Sequence, residues 1–104
     1  MIPTNYGILQ QKQAIAAYLS VYPTTITRVP SAGTASFDIT ASGSWTLAEF
    51  GKIDWISENL TNGTGDTTII VTFTENTGEQ RETDITITQG ILQAVVHVIQ
   101  YGIL

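Results

Sequence analysis

The stretches Thr68-Ile-Ile-Val-Thr-Phe-Thr74, Thr83-Asp-Ile-Thr-Ile-Thr88 and Ala94-Val-Val-His-Val-Ile-Gln100 decide the fold class. Threonine alternating with Ile, Val or Phe repeats every second residue, the period of a strand with one face buried. The chain carries seventeen threonines in all, so the same pattern extends outward. Further strands are predicted near Leu19 to Val21, Ser36 to Thr40, Ser44 to Leu47 and Trp55 to Ser57, divided by Gly, Asn, Asp and Pro turn signals. About seven short strands at this spacing predict an all-β antiparallel sandwich. Phe37, Ile39, Ile69, Val71, Phe73, Ile85, Ile87, Val96 and Val98 should point inward. Asp38, Thr72, Thr74, Asp84, Thr86 and His97 should face out, because a one-residue slip would exchange the two sets.

With 104 residues the chain has the length of one domain, able to bury roughly 65% of its unfolded surface. It contains no cysteine, so no disulfide supports it. Nine acids against four bases give a net charge of -5. That balance opposes the phosphate contacts of nucleic-acid binding, and attraction to an anionic membrane as well. The opening MIPTNYGILQQKQ has no basic segment followed by an apolar core, so it does not read as a signal peptide, and no run approaches transmembrane length. A native Met1 implies use in a cytoplasm; a signal peptide already removed implies secretion or the cell surface.

Catalytic chemistry finds little support. His97 is the sole histidine, and a triad with Asp84 and a serine would need a nucleophile elbow that the sequence lacks. Glu49, Asp54 and Glu58 surround Trp55 and superficially resemble a glycosidase pair, but read more simply as a solvated loop. Asp66, after Gly63-Thr-Gly65, lacks the lysine of a phosphate loop and the oxygen ligands of a calcium loop, and reads as a turn. The sequons Asn59-Leu-Thr61 and Asn62-Gly-Thr64 fit glycosylation only in a eukaryotic secretory route. No enzyme activity, cofactor or metal is expected.

The markers Leu19, Val21, Pro23, Ile26, Ser42-Gly-Ser-Trp45-Thr, Asp54-Trp55-Ile56, Gly63-Thr-Gly65, Asn76-Thr-Gly78, Arg81 and Val96-His-Val98-Ile-Gln100 together resemble a BACON domain, over about residues 18-101. The resemblance implies an immunoglobulin-like β-sandwich of the kind found in Bacteroidota proteins and crAss-like phages. Trp45 and Trp55 fall on positions resembling core and core-edge markers. The loop Leu47 to Ile53 is longer than is usual in the family and carries Phe50. Sugar-binding modules stack pyranose rings on rigid exposed aromatics, so the candidate glycan contacts are Phe50, Trp55 and Tyr22, with Tyr18 a further exposed aromatic.

Residues 1-17 form an N-terminal arm outside the resemblance, ahead of a sandwich domain spanning 18-104. Ile8 to Leu19 is compatible with a short amphipathic helix, and equally with an extended arm, given Pro3, Asn5 and Gly7. An arm with Ile2, Tyr6, Ile8, Leu9 and Ile15 is too apolar to float free and should dock on a partner. Tyr6-Gly-Ile-Leu9 recurs as Tyr101-Gly-Ile-Leu104, by chance or as equivalent contacts in an assembly. These features, with the resemblance, lead to a non-enzymatic virion protein, a decoration subunit of a crAss-like phage. Its partners would be the major capsid protein or copies of itself. The alternative is a carbohydrate- or mucin-binding module that contacts host glycans.

Overall fold

The computed structural model describes residues 16–51 and 53–104. Among them are nine strands and no helix: β1 (Leu19–Tyr22), β2 (Thr25–Arg28), β3 (Gly33–Ala41), β4 (Ser44–Glu49), β5 (Ile56–Glu58), β6 (Asn62–Thr64), β7 (Thr67–Phe73), β8 (Arg81–Gln89) and β9 (Leu92–Gln100). They form a four-stranded sheet, β1-β3-β7-β5, and a five-stranded sheet, β2-β9-β8-β4-β6. The protein is an immunoglobulin-like β-sandwich. All pairings are antiparallel except β2 with β9.

The inward set predicted from the alternation is buried between the sheets, joined by Ile26, Ala41, Leu47 and Ile56. Each fully buried aliphatic or aromatic side chain contributes roughly 1.5–3 kcal/mol of transfer free energy. Trp45 is 1% exposed, and its indole Nε1 donates to the Gly65 carbonyl at 3.0 Å. Its register partner on β6 is Gly63, where a Cβ would lie only 2.6 Å from Trp45 Cζ2. Glycine is therefore needed there for the ring to fit. Gly65, at φ 77°, makes the turn that follows.

Two buried glutamines close opposite ends of the β8–β9 ribbon. Gln89 accepts from Gly43 N through Oε1 and donates to Ser42 Oγ and the Tyr18 carbonyl. Gln100 donates to the carbonyls of Thr74, Pro30 and Val29 and accepts from Arg81 Nε. Buried amides are tolerated because their donors and acceptors are used.

Three expectations are corrected. The strands number nine rather than about seven; β2 and β6 went unseen because one follows Pro23 and the other contains Asn62-Gly63, which read as punctuation. Leu47 to Glu49 belong to β4, so the long loop starts at Phe50. Residues 16 to 18, the end of the possible helix, are irregular, and Leu19 opens a strand. The arm residues Ile2, Tyr6, Ile8, Leu9 and Ile15 lie outside the described residues. Tyr101 to Leu104 continue β9: Tyr101 N donates to the Arg28 carbonyl, and Ile103 N to that of Gly78.

Candidate functional site

The candidate glycan contacts Phe50, Trp55 and Tyr22 do not converge. Tyr22 ends the edge strand β1 and is 78% exposed. Its register partner is Asp38 on β3, which in turn faces Thr68 on β7. Directly paired residues share a face of the sheet with Cβ atoms about 5 Å apart, so tyrosine, carboxylate and hydroxyl form one outward row. Thr68 Oγ1 donates to Asp38 Oδ1 at 2.7 Å.

Beside that row Asp38, Ile39, Thr40, Asp66, Thr67 and Thr68 line an open depression of about 330 Å³. Asp66 is more than a turn residue: its Oδ1 accepts from Ala41 N at 3.0 Å, which fixes the carboxylate against β3. Both bonds use Oδ1, leaving Oδ2 of each aspartate without a partner among the described residues. The result is an exposed aromatic beside oriented acceptors and threonine hydroxyls. Such a surface can stack a ring and hydrogen-bond its hydroxyls. Two carboxylates in a chain of net charge -5 repel an anionic ligand.

Phe50 opens the loop after β4, at the other sheet, and is 77% exposed. Its backbone is fixed by Phe50 N donating to the Asp84 carbonyl and by Thr83 Oγ1 donating to the Phe50 carbonyl. Asp84 pairs with His97 across β8 and β9. His97 Nδ1 meets Asp84 Oδ1 at 2.6 Å, and Nε2 meets Glu82 Oε1 at 2.9 Å. The bond to Asp84 foremost, and the Glu82 carboxylate after it, raise the imidazole above its ordinary value of 6.5. A charged ring donating from both nitrogens has no lone pair with which to take a proton or hold a metal. His97 is thus a surface ion-pair residue, and a triad with Asp84 does not form.

Trp55 requires a correction. At 8% exposure it presents no open face: its ring tilts against Phe73 at 6.3 Å, and the Arg81 guanidinium covers it at 4.8 Å. Burial removes it as a stacking platform. Its backbone carbonyl accepts from Thr74 N at 3.0 Å, so it anchors the end of the core instead.

The expectation of a solvated acidic loop also changes. Glu58, half-buried on β5, has Oε2 enclosed with no hydrogen-bond partner. Burial, then the adjacent Glu49 carboxyl as hydrogen-bond partner and neighbouring charge, push its pKa up to about 8. Two ionised carboxylates offer each other no donor, and a proton on Glu58 supplies one. Asp54 is exposed and outside this pair. Among the described residues no group of three or more His, Asp or Glu is placed to hold a metal, and no helix is long and apolar enough to cross a membrane.

Residues 37–100 match the family model BACON, described as "Putative binding domain, N-terminal". No curated protein matches the chain. Among solved structures, a Bacteroides ovatus GH5 xyloglucanase in complex with a XXXG heptasaccharide aligns with TM-score 0.72 and 16% identity. That alignment covers 83% of this chain and 19% of the enzyme, so the chain spans about a fifth of it. The chaperone and tip adhesion subunit pre-assembly complex of Acinetobacter baumannii Csu pili aligns with TM-score 0.68 and 10% identity, over 84% of this chain and 58% of that one. WR4, a C. elegans MSP family member, gives 0.56 and 10%, over 81% and 96%. At such identities the likeness is one of fold. None of the three is a capsid protein, so the virion expectation gains nothing from them.

Proposed function

Because the chain belongs to the BACON family, we propose that it is a non-catalytic binding module that holds an uncharged carbohydrate chain on the outer face of its four-stranded sheet. The observation that carries this reading is the row Tyr22, Asp38, Thr68 beside the depression of Thr40 and Asp66. Tyr22 supplies the stacking face, and the aspartates and threonines accept and donate to sugar hydroxyls. A family of binding domains, and a fold shared with a xyloglucanase solved with an oligosaccharide, support the choice of ligand. The carboxylates favour neutral over sulfated or uronic chains.

Isothermal titration against neutral and anionic oligosaccharides tests it. Binding of neutral chains that is lost in Tyr22→Ala is the expected result, with any anionic chain indifferent to that substitution. Wild-type protein that binds no glycan at all would overturn the reading, and would leave the virion surface, tested by mass spectrometry of purified phage particles, as the competing assignment.

A further inference from the structure

Arg28, Gln100 and Arg81 stand in one row across three adjacent strands, because Gln100 on β9 is the register partner of Arg28 on β2 and of Arg81 on β8. Neighbouring strands are about 4.8 Å apart, so the two arginine Cα atoms flank the glutamine with about 10 Å between them. All three close the same end of the sandwich, over the pair Trp55 and Phe73.

The arginines are used differently. Arg81 spends its donors inside the protein, through Nε to Gln100 Oε1 and Nη2 to Thr74 and the Glu75 carbonyl. Arg28 stacks its guanidinium on Phe73 at 5.8 Å and rests against Gly33, where a Cβ would come within 2.1 Å of Nη2. Stacking occupies the face of the guanidinium and leaves its in-plane N–H edge unused. Arg28 Nε is buried without a hydrogen-bond partner among the described residues, although the residue as a whole is only half-buried.

The absence of a carboxylate partner is unexpected in this composition. All nine acids of the chain fall within the described residues, yet among those residues the ion pairs within 4.0 Å all belong to His97. A guanidinium held in place by an aromatic ring and a glycine, with Nε desolvated and no acceptor among the described residues, has the form of an oxyanion receptor.

We propose that Arg28, backed by the charge of Arg81, binds a carboxylate at this end of the sandwich, from a simple organic acid or from a uronic-acid sugar. A planar carboxylate matches the planar donors of one guanidinium, and with Nε closed off it would be met through the terminal Nη groups. The net charge of -5 disfavours multiply charged phosphates at long range. This end is separate from the Tyr22 face, so the proposal does not rest on the proposed function.

The test is a titration of the folded protein at fixed ionic strength with acetate, glucuronate, glucose and phosphate, following the Nε–Hε resonances of the arginines by NMR and the thermal midpoint in parallel. A saturable shift of the Arg28 signal with acetate and glucuronate, absent with glucose, is expected. The midpoint should rise with the same ligands in wild type and not in Arg28→Gln. Tighter glucuronate than acetate binding would identify the sugar acid as the source, and equal binding the carboxylate alone. Arg28→Lys, which keeps the charge and loses the fork, should bind at least tenfold more weakly while remaining folded. An Arg28 resonance that does not respond, or stabilisation by carboxylates that persists in Arg28→Gln, overturns the proposal.

Discussion

Gly63 lies beneath the indole of Trp45, its register partner, and the space a Cβ would take is already filled by Cζ2 at 2.6 Å. The two residues are one packing unit spread over β4 and β6. Trp45→Ala should cost about 3–5 kcal/mol by emptying a large aromatic site. Gly63→Ala should cost about 1–3 kcal/mol by overpacking. In the double variant the penalties should be less than additive, since removing the ring removes the clash. Urea unfolding of the four proteins measures the coupling; strict additivity would separate the two residues.

Stability should fall as pH rises across neutrality. The Glu58 pKa is raised in the folded protein from 4.5 to about 8, so its contribution is complete below 4.5 and is lost as pH climbs through about 8. His97 is also raised; its contribution is complete below 6.5 and disappears above its folded value. Both groups act in the same direction, and both are exposed enough for screening to shrink the effect. Thermal midpoints measured from acid to mildly alkaline pH should decline in wild type. Glu58→Gln, a permanent hydrogen-bond donor, should flatten the curve between about 4.5 and about 8, and His97→Gln the part that begins at 6.5. A wild-type profile that rises over this range would contradict both assignments.

The strands of the two central ribbons were legible because their alternation is strict: Ile69, Val71 and Phe73 against Thr68, Ile70 and Thr72 allows only one buried face in a sandwich. Ile70 is the apolar exception and is exposed. Trp45 was legible as core through the family resemblance, on a position like the family's core marker. The site was not. Tyr22 and Asp38 are sixteen positions apart and meet only through the β1–β3 register, which depends on where the sheet edges fall. Trp55 is the core-edge residue that the resemblance implies; what fails is its place among the glycan contacts, because the guanidinium that covers it comes from Arg81, a residue whose nearness no local pattern reveals. Glu49, Asp54 and Glu58 cluster around Trp55 in sequence, but the raised pKa of Glu58 follows first from its burial, which the sequence does not show.

Gln100 should prove essential out of proportion to its size. Its amide is the common partner of Val29, Pro30, Thr74 and Arg81. Gln100→Leu keeps most of the volume but strands the Val29 carbonyl and the Arg81 Nε donor, and takes one of two donors from the carbonyls of Pro30 and Thr74. A loss of about 3 kcal/mol is expected, the upper range for a buried polar group deprived of its partners. Hydrogen exchange should quicken at Asn76 and Tyr101, whose amides donate to the carbonyls of Pro30 and Arg28 at this end. Unchanged stability would mean that water replaces the amide without penalty.

The two exposed aromatics separate the competing faces. Tyr22 neighbours the Asp38 row, whereas Phe50 adjoins Asp84 and His97 on the opposite sheet. Losing one stacked ring removes roughly 1.5 kcal/mol, about tenfold in affinity. Tyr22→Ala should therefore weaken binding of a neutral oligosaccharide by about tenfold or more, Tyr22→Phe should retain most of it because the ring face survives, and Phe50→Ala should leave it unchanged. Asp38→Asn keeps one acceptor and removes the charge, so it should preserve neutral ligands and relax the exclusion of anionic ones. Since Tyr22 and Phe50 are both largely exposed, neither alanine variant should shift the thermal midpoint appreciably, and affinity differences can be read as contacts. If Phe50→Ala abolishes binding while Tyr22→Ala does not, the ligand lies on the five-stranded sheet, and the Asp38 depression is an unoccupied feature of the fold.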